Sequence, residues 1–353
     1  MRRSYGRYLV GLLATVAAIA GAVLTVNLLV DPLWYLHGNV ISGMNYQYNE
    51  RHSKAFRFMK DPDQYDCIIL GSSTGSLLNE NKIAGYNCFN FSFSHGNISE
   101  YVSYAKFARR FTRNIRLVIV SVDAYNLLNA ELDDWSPLFV RDSDVSPPSV
   151  LASYLDRDTF YYSLRALTKG RDQGIYYRSD FTAAIHPGSP TYEPQGRLTS
   201  DFQRRFGHKA TDPFSERNIA LFRELGEVFP DAEYVGVAPP IAAHYVAFLR
   251  LANTLNGLLE AKHALTAVFD RFYDFSLPSA VTKDPTNTYD GEHFDLSWND
   301  RVVAILNAEK YGDARGGEVD FGVRVHELSL RHYRALFLAL TDDFIAETRL
   351  TLR

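Results

Sequence analysis

Cysteine is scarce in this chain, which has two, Cys67 and Cys88, among 353 residues. Two cysteines are too few for a disulfide framework or for a metal site built from thiolates. Both fall on predicted strands that would be neighbours in a sheet, and an oxidising compartment would permit a bond between them. Because adjacent parallel strands seldom give good disulfide geometry, we expect two buried free thiols.

The chain also lacks a large excess of charge of either sign, sequence repeats and low-complexity tracts. The chain has 37 Lys and Arg against 41 Asp and Glu, a formal net charge of −4. No basic footprint points to a nucleic acid, so we predict no nucleic-acid partner. The 46% hydrophobic content over 353 residues instead indicates a folded chain that can bury a sizeable core.

Long hydrophobic runs are absent after residue 30. Before it, residues 8–30 form one uncharged apolar run, preceded by three arginines and followed by Asp31. That run is long enough to cross a bilayer, and the flanking charges predict a cytoplasmic start and an exterior remainder. Small residues at 17–22 leave a cleaved signal peptide as the alternative. We expect an uncleaved single-pass anchor in the cytoplasmic membrane, with the domain periplasmic or at the cell surface, because the run exceeds a typical signal core.

The most informative stretch lies at residues 66–75, where a short apolar strand stops at Gly71. A tight turn into a helix presents the next side chains, and unpaired backbone N–H groups at a helix start can stabilise negative charge. Ser73 is the candidate nucleophile. Ser72 takes its place if the turn is shifted by one residue, and an ordinary helix cap is the structural alternative.

A serine nucleophile needs a base and a group that orients the base. Asp290 and His293 lie three residues apart in a polar loop before a predicted helix, a spacing that can place carboxylate and imidazole side by side. Glu292 and Asp295 could extend them into a cluster of hard ligands, but nothing in the sequence completes a metal site. We therefore predict a Ser73, His293 and Asp290 triad without metal or cofactor.

A Gly-Ser-Ser block after the first strand and a downstream Asp-x-x-His block resemble the SGNH (GDSL-like) hydrolase and acyltransferase superfamily. The resemblance implies an α/β domain, a three-layer sandwich with a central parallel sheet. It also implies an oxyanion hole that uses the N–H groups of Ser73 and Gly96. The family usually supplies an asparagine after the third strand, where this chain has Asp123. Asn97 or Asn126 is the candidate substitute.

Gly-x-Ser-x-Gly at residues 71–75 also satisfies the nucleophile elbow of α/β-hydrolases. Too little exterior chain precedes it for the strands that come first in that fold, and the Asp and His of that fold are usually well separated in sequence. Both interpretations select Ser73.

Strands that alternate with helices support a parallel sheet. The predicted organisation is a start and anchor at 1–30, a linker at 31–60 and an SGNH-like extracytoplasmic domain at 61–353, with an insertion at about 130–216. Aromatic residues of the insertion could stack on sugar rings, although packing within the insertion is the commoner role. They include Trp135, Tyr161, Tyr162, Tyr176 and Tyr177.

The Gly-Ser-Ser form looks most like the membrane-anchored branch related to the teichoic acid D-alanylation protein and to alginate O-acetyltransferases. That resemblance implies O-acyl transfer, in the simplest case O-acetyl transfer, onto a cell-envelope or secreted polysaccharide or another polyol through an acyl-serine. It also implies a multi-spanning membrane acyltransferase that supplies the acyl group. Two alternatives remain: a carbohydrate esterase or deacetylase with the same triad, and a non-catalytic polysaccharide-binding scaffold of an export complex.

Overall fold

A computed structural model describes residues 2–46, 48–128, 147–168, 174–194, 216–310 and 321–351. Much of the predicted insertion, with Trp135, lies outside the described residues. The strands are β1 (Met44–Tyr46), β2 (Cys67–Leu70), β3 (Cys88–Asn90), β4 (Leu117–Ser121), β5 (Ile175–Arg178), β6 (Ala183–Ile185), β7 (Glu233–Ala238), β8 (Arg271–Asp274) and β9 (Val323–Arg324).

Thirteen α-helices are found within the described ranges. They are α1 (Arg2–Val30), α2 (Glu50–Lys60), α3 (Ser73–Ser76), α4 (Ile98–Phe111), α5 (Ala124–Leu128), α6 (Pro147–Leu155), α7 (Arg157–Thr168), α8 (Glu216–Gly226), α9 (Ala243–Leu251), α10 (Leu255–Ala264), α11 (Ala280–Lys283), α12 (Leu296–Lys310) and α13 (Leu330–Thr348). Residues 244–269 have few breakers of helical structure and by sequence alone would be predicted as one helix. The structure has α9 and α10 there, separated at Asn253, whose φ of 59° is incompatible with a continuous right-handed helix.

The chain divides into two compact units. The first contains Met1–Arg57 and Leu138–Gly188, and the second contains Phe58–Pro137 and Ser189–Arg353. This division differs from the predicted boundaries, because most of the predicted linker groups with part of the predicted insertion. Within the first unit β1 pairs antiparallel with β5, although the two strands are more than 100 residues apart in sequence. β5 also pairs antiparallel with β6.

Helix α1 is the long apolar element of the first unit. Residues Tyr5–Val30 are long and apolar enough to cross a membrane, and none of the most apolar window is buried. After the helix, the buried carboxylate of Asp31 accepts hydrogen bonds from the backbone N–H groups of Tyr35, His37 and Gly38 at 3.0, 2.7 and 2.6 Å. The start of the predicted linker is therefore tightly folded.

The second unit is built on a six-stranded sheet in the order β3-β2-β4-β7-β8-β9. In this sheet β3, β2, β4, β7 and β8 pair in parallel with their neighbours, and β9 is antiparallel to β8. Residues two apart on one strand, such as Leu117 and Ile119 of β4, point to the same face of the sheet. They share one buried cluster with Val302 and Val303 of α12. The prediction of an α/β chain with a mostly parallel sheet is confirmed.

The two cysteines form a disulfide, so the expectation of free thiols was wrong. In the parallel pairing of β2 with β3, Cys67 lies directly opposite Cys88, and their Cα atoms are 4.2 Å apart. Strand register is set by the pairing of whole strands and cannot be read from two short segments of sequence. The bridge encloses the segment that carries Ser73.

Candidate active site

Ser73 lies at the carboxyl edge of the parallel sheet, directly after β2. Ser72 has extended backbone angles and caps α3, because its Oγ accepts a hydrogen bond from the N–H of Thr74 at 3.3 Å. Its side chain is also hydrogen-bonded to Thr74 Oγ1 at 3.1 Å and is buried. Of the two alternatives in the sequence, Ser72 is thus the cap and Ser73 is the first residue of the helix.

Two glycines let this turn lie against the neighbouring strand β4. A Cβ atom on Gly71 would lie 2.7 Å from Cβ of Ser121, and one on Gly75 would lie 2.8 Å from the same atom. Real side chains do not approach that closely, so any larger residue would displace the turn. The glycines are required by close approach and not by an unusual φ, and they fix the position of Ser73.

The Asp290 to His293 segment is a turn that the carboxylate itself organises. Oδ1 of Asp290 accepts hydrogen bonds from the N–H groups of Glu292 and His293 at 3.0 and 2.9 Å. Gly291 supplies the left-handed conformation of the turn, with φ of 92°. Oδ2 is then placed 2.7 Å from Nδ1 of His293, so the three-residue spacing produces the predicted contact.

His293 connects this turn to Ser73, the candidate nucleophile. Its Nε2 lies 2.7 Å from Oγ of Ser73. An ionised carboxylate can only accept hydrogen bonds, so Nδ1 of His293 carries a proton and donates it in a hydrogen bond to Asp290. Nε2 is then unprotonated and can accept the hydroxyl proton of Ser73. The ring of Tyr289 stacks on the imidazole at a centroid distance of 5.4 Å, which restrains its orientation.

The charges of the pair are mutually stabilising. Burial favours the neutral imidazole, but attraction and hydrogen bonding from Asp290, with smaller effects of Glu292 and Asp123, outweigh it and raise the pKa of His293 above its ordinary value. Burial likewise opposes the charge of Asp290, yet the interactions with His293 and the backbone N–H groups hold its pKa below the usual range. The arrangement therefore favours an imidazolium next to a carboxylate once a proton is transferred.

A cavity of about 110 Å³ opens at the Ser73 hydroxyl. Ser73, His293, His95 and Asp123 lie on its polar side. Its apolar wall comes from segments that follow β7, and includes Pro239, Ile241, Tyr245 and Leu249.

Asp123 stands where the resembled family has an asparagine, at the end of β4. Thr74 Oγ1 donates a hydrogen bond of 2.7 Å to its Oδ1. Burial raises the pKa of Asp123 to about 6, against the lowering effect of the Thr74 and Ser72 hydroxyls. At neutral pH this carboxyl is mostly ionised, so it places negative charge in the same cavity as His293.

The structure does not bring Gly96 and Asn97 to the cavity. The N–H of Gly96 donates to the carbonyl of Phe93 at 3.0 Å. Asn97 caps α4 in a capping box, and its Nδ2 donates to Glu100 Oε2 at 3.1 Å. The oxyanion-hole role predicted for these two residues has no support from these contacts, because both groups are used to build the turn and the helix start.

Asn126, the other candidate substitute, is buried behind this turn. Its Oδ1 accepts the N–H of Ile98 at 3.0 Å, and its Nδ2 donates to the hydroxyl of Tyr101 at 3.3 Å. Among the described residues, no oxygen accepts a hydrogen bond from the N–H of Ser73. Of the predicted backbone donors, this one alone is left available beside the Ser73 hydroxyl.

Sequence reasoning missed Lys262, a buried lysine of α10 that also lines the cavity. Its Nζ donates to Asp274 Oδ2 at 2.8 Å and to Ser276 Oγ at 2.7 Å, and the hydroxyl of Tyr333 donates to the same carboxylate. No spacing rule connects a helix residue with a strand end 12 positions later. The one available signal was that Asp274 lies in a short aromatic segment at residues 272–275 that is typical of a strand, near the sheet edge where functional loops gather.

Comparison of the chain with protein-family models, with curated proteins and with solved structures gives no match.

Proposed function

We propose that the protein is a membrane-anchored serine O-acyltransferase with an SGNH-like fold, which moves a short acyl group onto a hydroxyl of a cell-envelope or secreted polysaccharide. The observation that carries the proposal is the hydrogen-bonded series from Asp290 through His293 to Ser73, with both contacts at 2.7 Å. Three residues separated by up to 220 positions meet in the order that nucleophilic catalysis requires.

In the first half-reaction Ser73 Oγ attacks the carbonyl carbon of the acyl donor, and Nε2 of His293 takes the hydroxyl proton. Asp290 stabilises the imidazolium through Nδ1–H. The N–H of Ser73 is positioned to donate to the oxygen that becomes negative. The tetrahedral intermediate then expels the donor's leaving group, which receives the proton from Nε2, and an acyl ester on Ser73 remains.

In the second half-reaction a hydroxyl of the acceptor attacks the acyl-serine. Nε2 of His293 takes the proton of that hydroxyl, and the second tetrahedral intermediate collapses. The new ester leaves, and the proton returns from Nε2 to Ser73 Oγ. Water in place of the acceptor would give hydrolysis through the same steps, so the triad serves an esterase equally well.

The size of the cavity supports a short acyl group. An engineered apolar cavity of about 150 Å³ holds benzene, and the cavity next to Ser73 has about 110 Å³. An acetyl group fits that space. The apolar wall that includes Ile241 and Leu249 suits a methyl group.

The extracytoplasmic location rests on two features. Helix α1 is long and apolar enough to cross a membrane, and the basic residues at its start favour a cytoplasmic N-terminus. The Cys67–Cys88 disulfide is typical of proteins in oxidising compartments. An acyl group would have to reach that side of the membrane, which is why a multi-spanning membrane acyltransferase is the proposed donor-side partner.

The test is hydrolysis of a small activated acetyl ester by the full-length protein in detergent, with intact-mass detection of an acetyl adduct. Ser73→Ala is expected to abolish the adduct and lower turnover at least about 10³-fold. Ser72→Ala is the matched control, since it removes a helix cap worth about 1 kcal/mol and leaves the nucleophile.

Turnover that survives Ser73→Ala would refute the proposed nucleophile. A folded wild-type protein with neither adduct nor turnover would favour the scaffold alternative. Once the adduct is seen, oligosaccharide acceptors separate the two enzymatic outcomes: acetylated sugar indicates transfer, and release of acetate alone indicates an esterase.

A further inference from the structure

Large apolar side chains are exposed in the first unit and in no described part of the second. Many belong to α1, as expected of a helix that crosses a bilayer. Outside α1 they occur directly after it and in α6 and α7. Those in α6 and α7 are Leu151, Leu155, Tyr161, Leu164 and Leu167, with exposed fractions of 38 to 55%, and we call them the apolar face.

The apolar face follows helical spacing. Leu151 and Leu155 are four residues apart on α6, and the three positions on α7 are spaced by three, so each helix exposes one apolar stripe. A surface helix of a protein in water has the opposite arrangement, with its apolar stripe buried.

The buried sides of the same helices carry polar groups. Ser163 Oγ of α7 donates to Asn27 Oδ1 at 2.8 Å, and Asn27 Nδ2 donates to the carbonyl of Tyr154 at 2.8 Å. The hydroxyl of Tyr154 donates to the carboxylate of Asp31. Polar groups that bind helices together while apolar side chains face outwards are the pattern of helices in contact with lipid.

Both helices pack on the last part of α1. Leu24 and Leu28 pack against a cluster with Tyr154, while Val26 and Val30 belong with Ala166 in another. At a rise of 1.5 Å per residue, residues 24–30 cover about 9 Å. The 26 residues of the apolar helix span about 39 Å, roughly 9 Å more than a bilayer's hydrocarbon core. With the start of the helix at the cytoplasmic boundary, α6 and α7 lie at the level of the opposite headgroups.

We propose that the apolar face is embedded in the interfacial layer of the bilayer that α1 crosses, with phospholipid as its partner. The choice of lipid as occupant follows from continuity, because the face adjoins the end of a helix whose own surface is apolar. Helices of this kind enter the boundary of headgroups and acyl chains by about 5–10 Å, and Tyr161 is a residue type enriched there. The inference rests on the anchoring part of the proposed function and is independent of the chemistry at Ser73.

The test places nitroxide labels on the full-length protein in nanodiscs of phosphatidylcholine and phosphatidylglycerol. Single substitutions L151C, L155C, L164C and L167C are made one at a time, and the native cysteines stay in their disulfide. These side chains are exposed, so the changes remove little core packing. Val16→Cys in α1 is the lipid control, and Ser179→Cys, in the exposed turn between β5 and β6, is the water control.

We expect the ratio of oxygen to nickel-chelate accessibility of the four labels to lie between the two controls, roughly tenfold above S179C and below V16C near the bilayer centre, because a polar chelate is excluded increasingly with depth. Labels that match S179C while V16C reports lipid would overturn the proposal and leave the anchor intact. Spin–spin broadening that disappears on dilution with unlabelled chain would overturn it in favour of a second copy. V16C in water would refute the anchor as well, whereas activity of Ser73→Ala refutes the serine mechanism alone.

Discussion

Replacement of Asp290 by asparagine tests whether His293 acts as the base, because the turn dictates how the new amide must sit. Oδ1 of Asp290 accepts two backbone N–H groups, from Glu292 and His293. Only the amide oxygen can accept them, so the asparagine oxygen takes the Oδ1 position. The amide nitrogen must then occupy the Oδ2 position, 2.7 Å from Nδ1 of His293 in the native protein.

That orientation reverses the imidazole tautomer. An amide NH₂ group donates, so Nδ1 becomes an acceptor and the proton moves to Nε2. Nε2–H then faces Ser73 Oγ across the 2.7 Å contact and cannot accept the hydroxyl proton. The variant also loses the negative charge that raises the pKa of His293 and stabilises its imidazolium.

The expected loss is large for activity and small for folding. A wrong tautomer in a Ser-His-Asp triad lowers kcat about 10⁴-fold, equivalent to roughly 5.4 kcal/mol at 1.36 kcal/mol per factor of ten. Both backbone hydrogen bonds of the turn survive in the variant, so the thermal midpoint should change little. A merely structural role for Asp290 would produce the opposite pattern.

The assay is kcat for the activated acetyl ester, with thermal unfolding measured on the same preparation. Asp295→Asn is the matched control, since Asp295 is an exposed carboxylate of the same loop outside the cavity. Asparagine, like aspartate, is favoured directly before a helix, so the start of α12 should be unaffected. A role for His293 as the base, oriented by Asp290, is refuted if Asp290→Asn keeps activity within tenfold of wild type while its thermal midpoint is unchanged.

Two further predictions concern charge and stability. Asp123→Asn removes a charge that raises the pKa of His293, so the acid limb of the kcat/KM profile, where the base becomes protonated, should shift to lower pH. kcat should also rise as repulsion of the oxyanion falls, and an upward shift of the limb would contradict this reading. The double change of Cys67 and Cys88 to Ser should lower the free energy of unfolding by about 3 kcal/mol, because it opens a loop of 21 residues. In a urea titration, reductant should lower the stability of the wild type and leave the double variant unaffected. Equal loss of stability in the two proteins on addition of reductant would argue against the disulfide.

The candidate site was largely predictable because its parts are local. A strand that ends at Gly71 and turns into a helix specifies where Ser73 emerges, and a three-residue spacing lets Asp290 organise its own turn around His293. The apolar run of α1 is likewise a property of consecutive residues. In each case the physical cause acts within one turn or one helix, so the order of residues carries the information.

The remaining features depend on groups that are distant in sequence. The disulfide follows from the register of β2 against β3, and the pairing of β1 with β5 groups the predicted linker with part of the insertion. The pKa of Asp123 follows from burial, and Lys262 forms an ion pair with Asp274 at the end of β8, although the two lie on different elements. The hydrogen-bonding groups of Gly96 and Asn97, the predicted donors, are used in a turn and in a helix cap. Local pattern therefore specified the separate parts of the candidate site, Ser73 at its turn and Asp290 beside His293. The contact between His293 and Ser73, which are 220 positions apart, and the surroundings of the site arise only when distant segments meet.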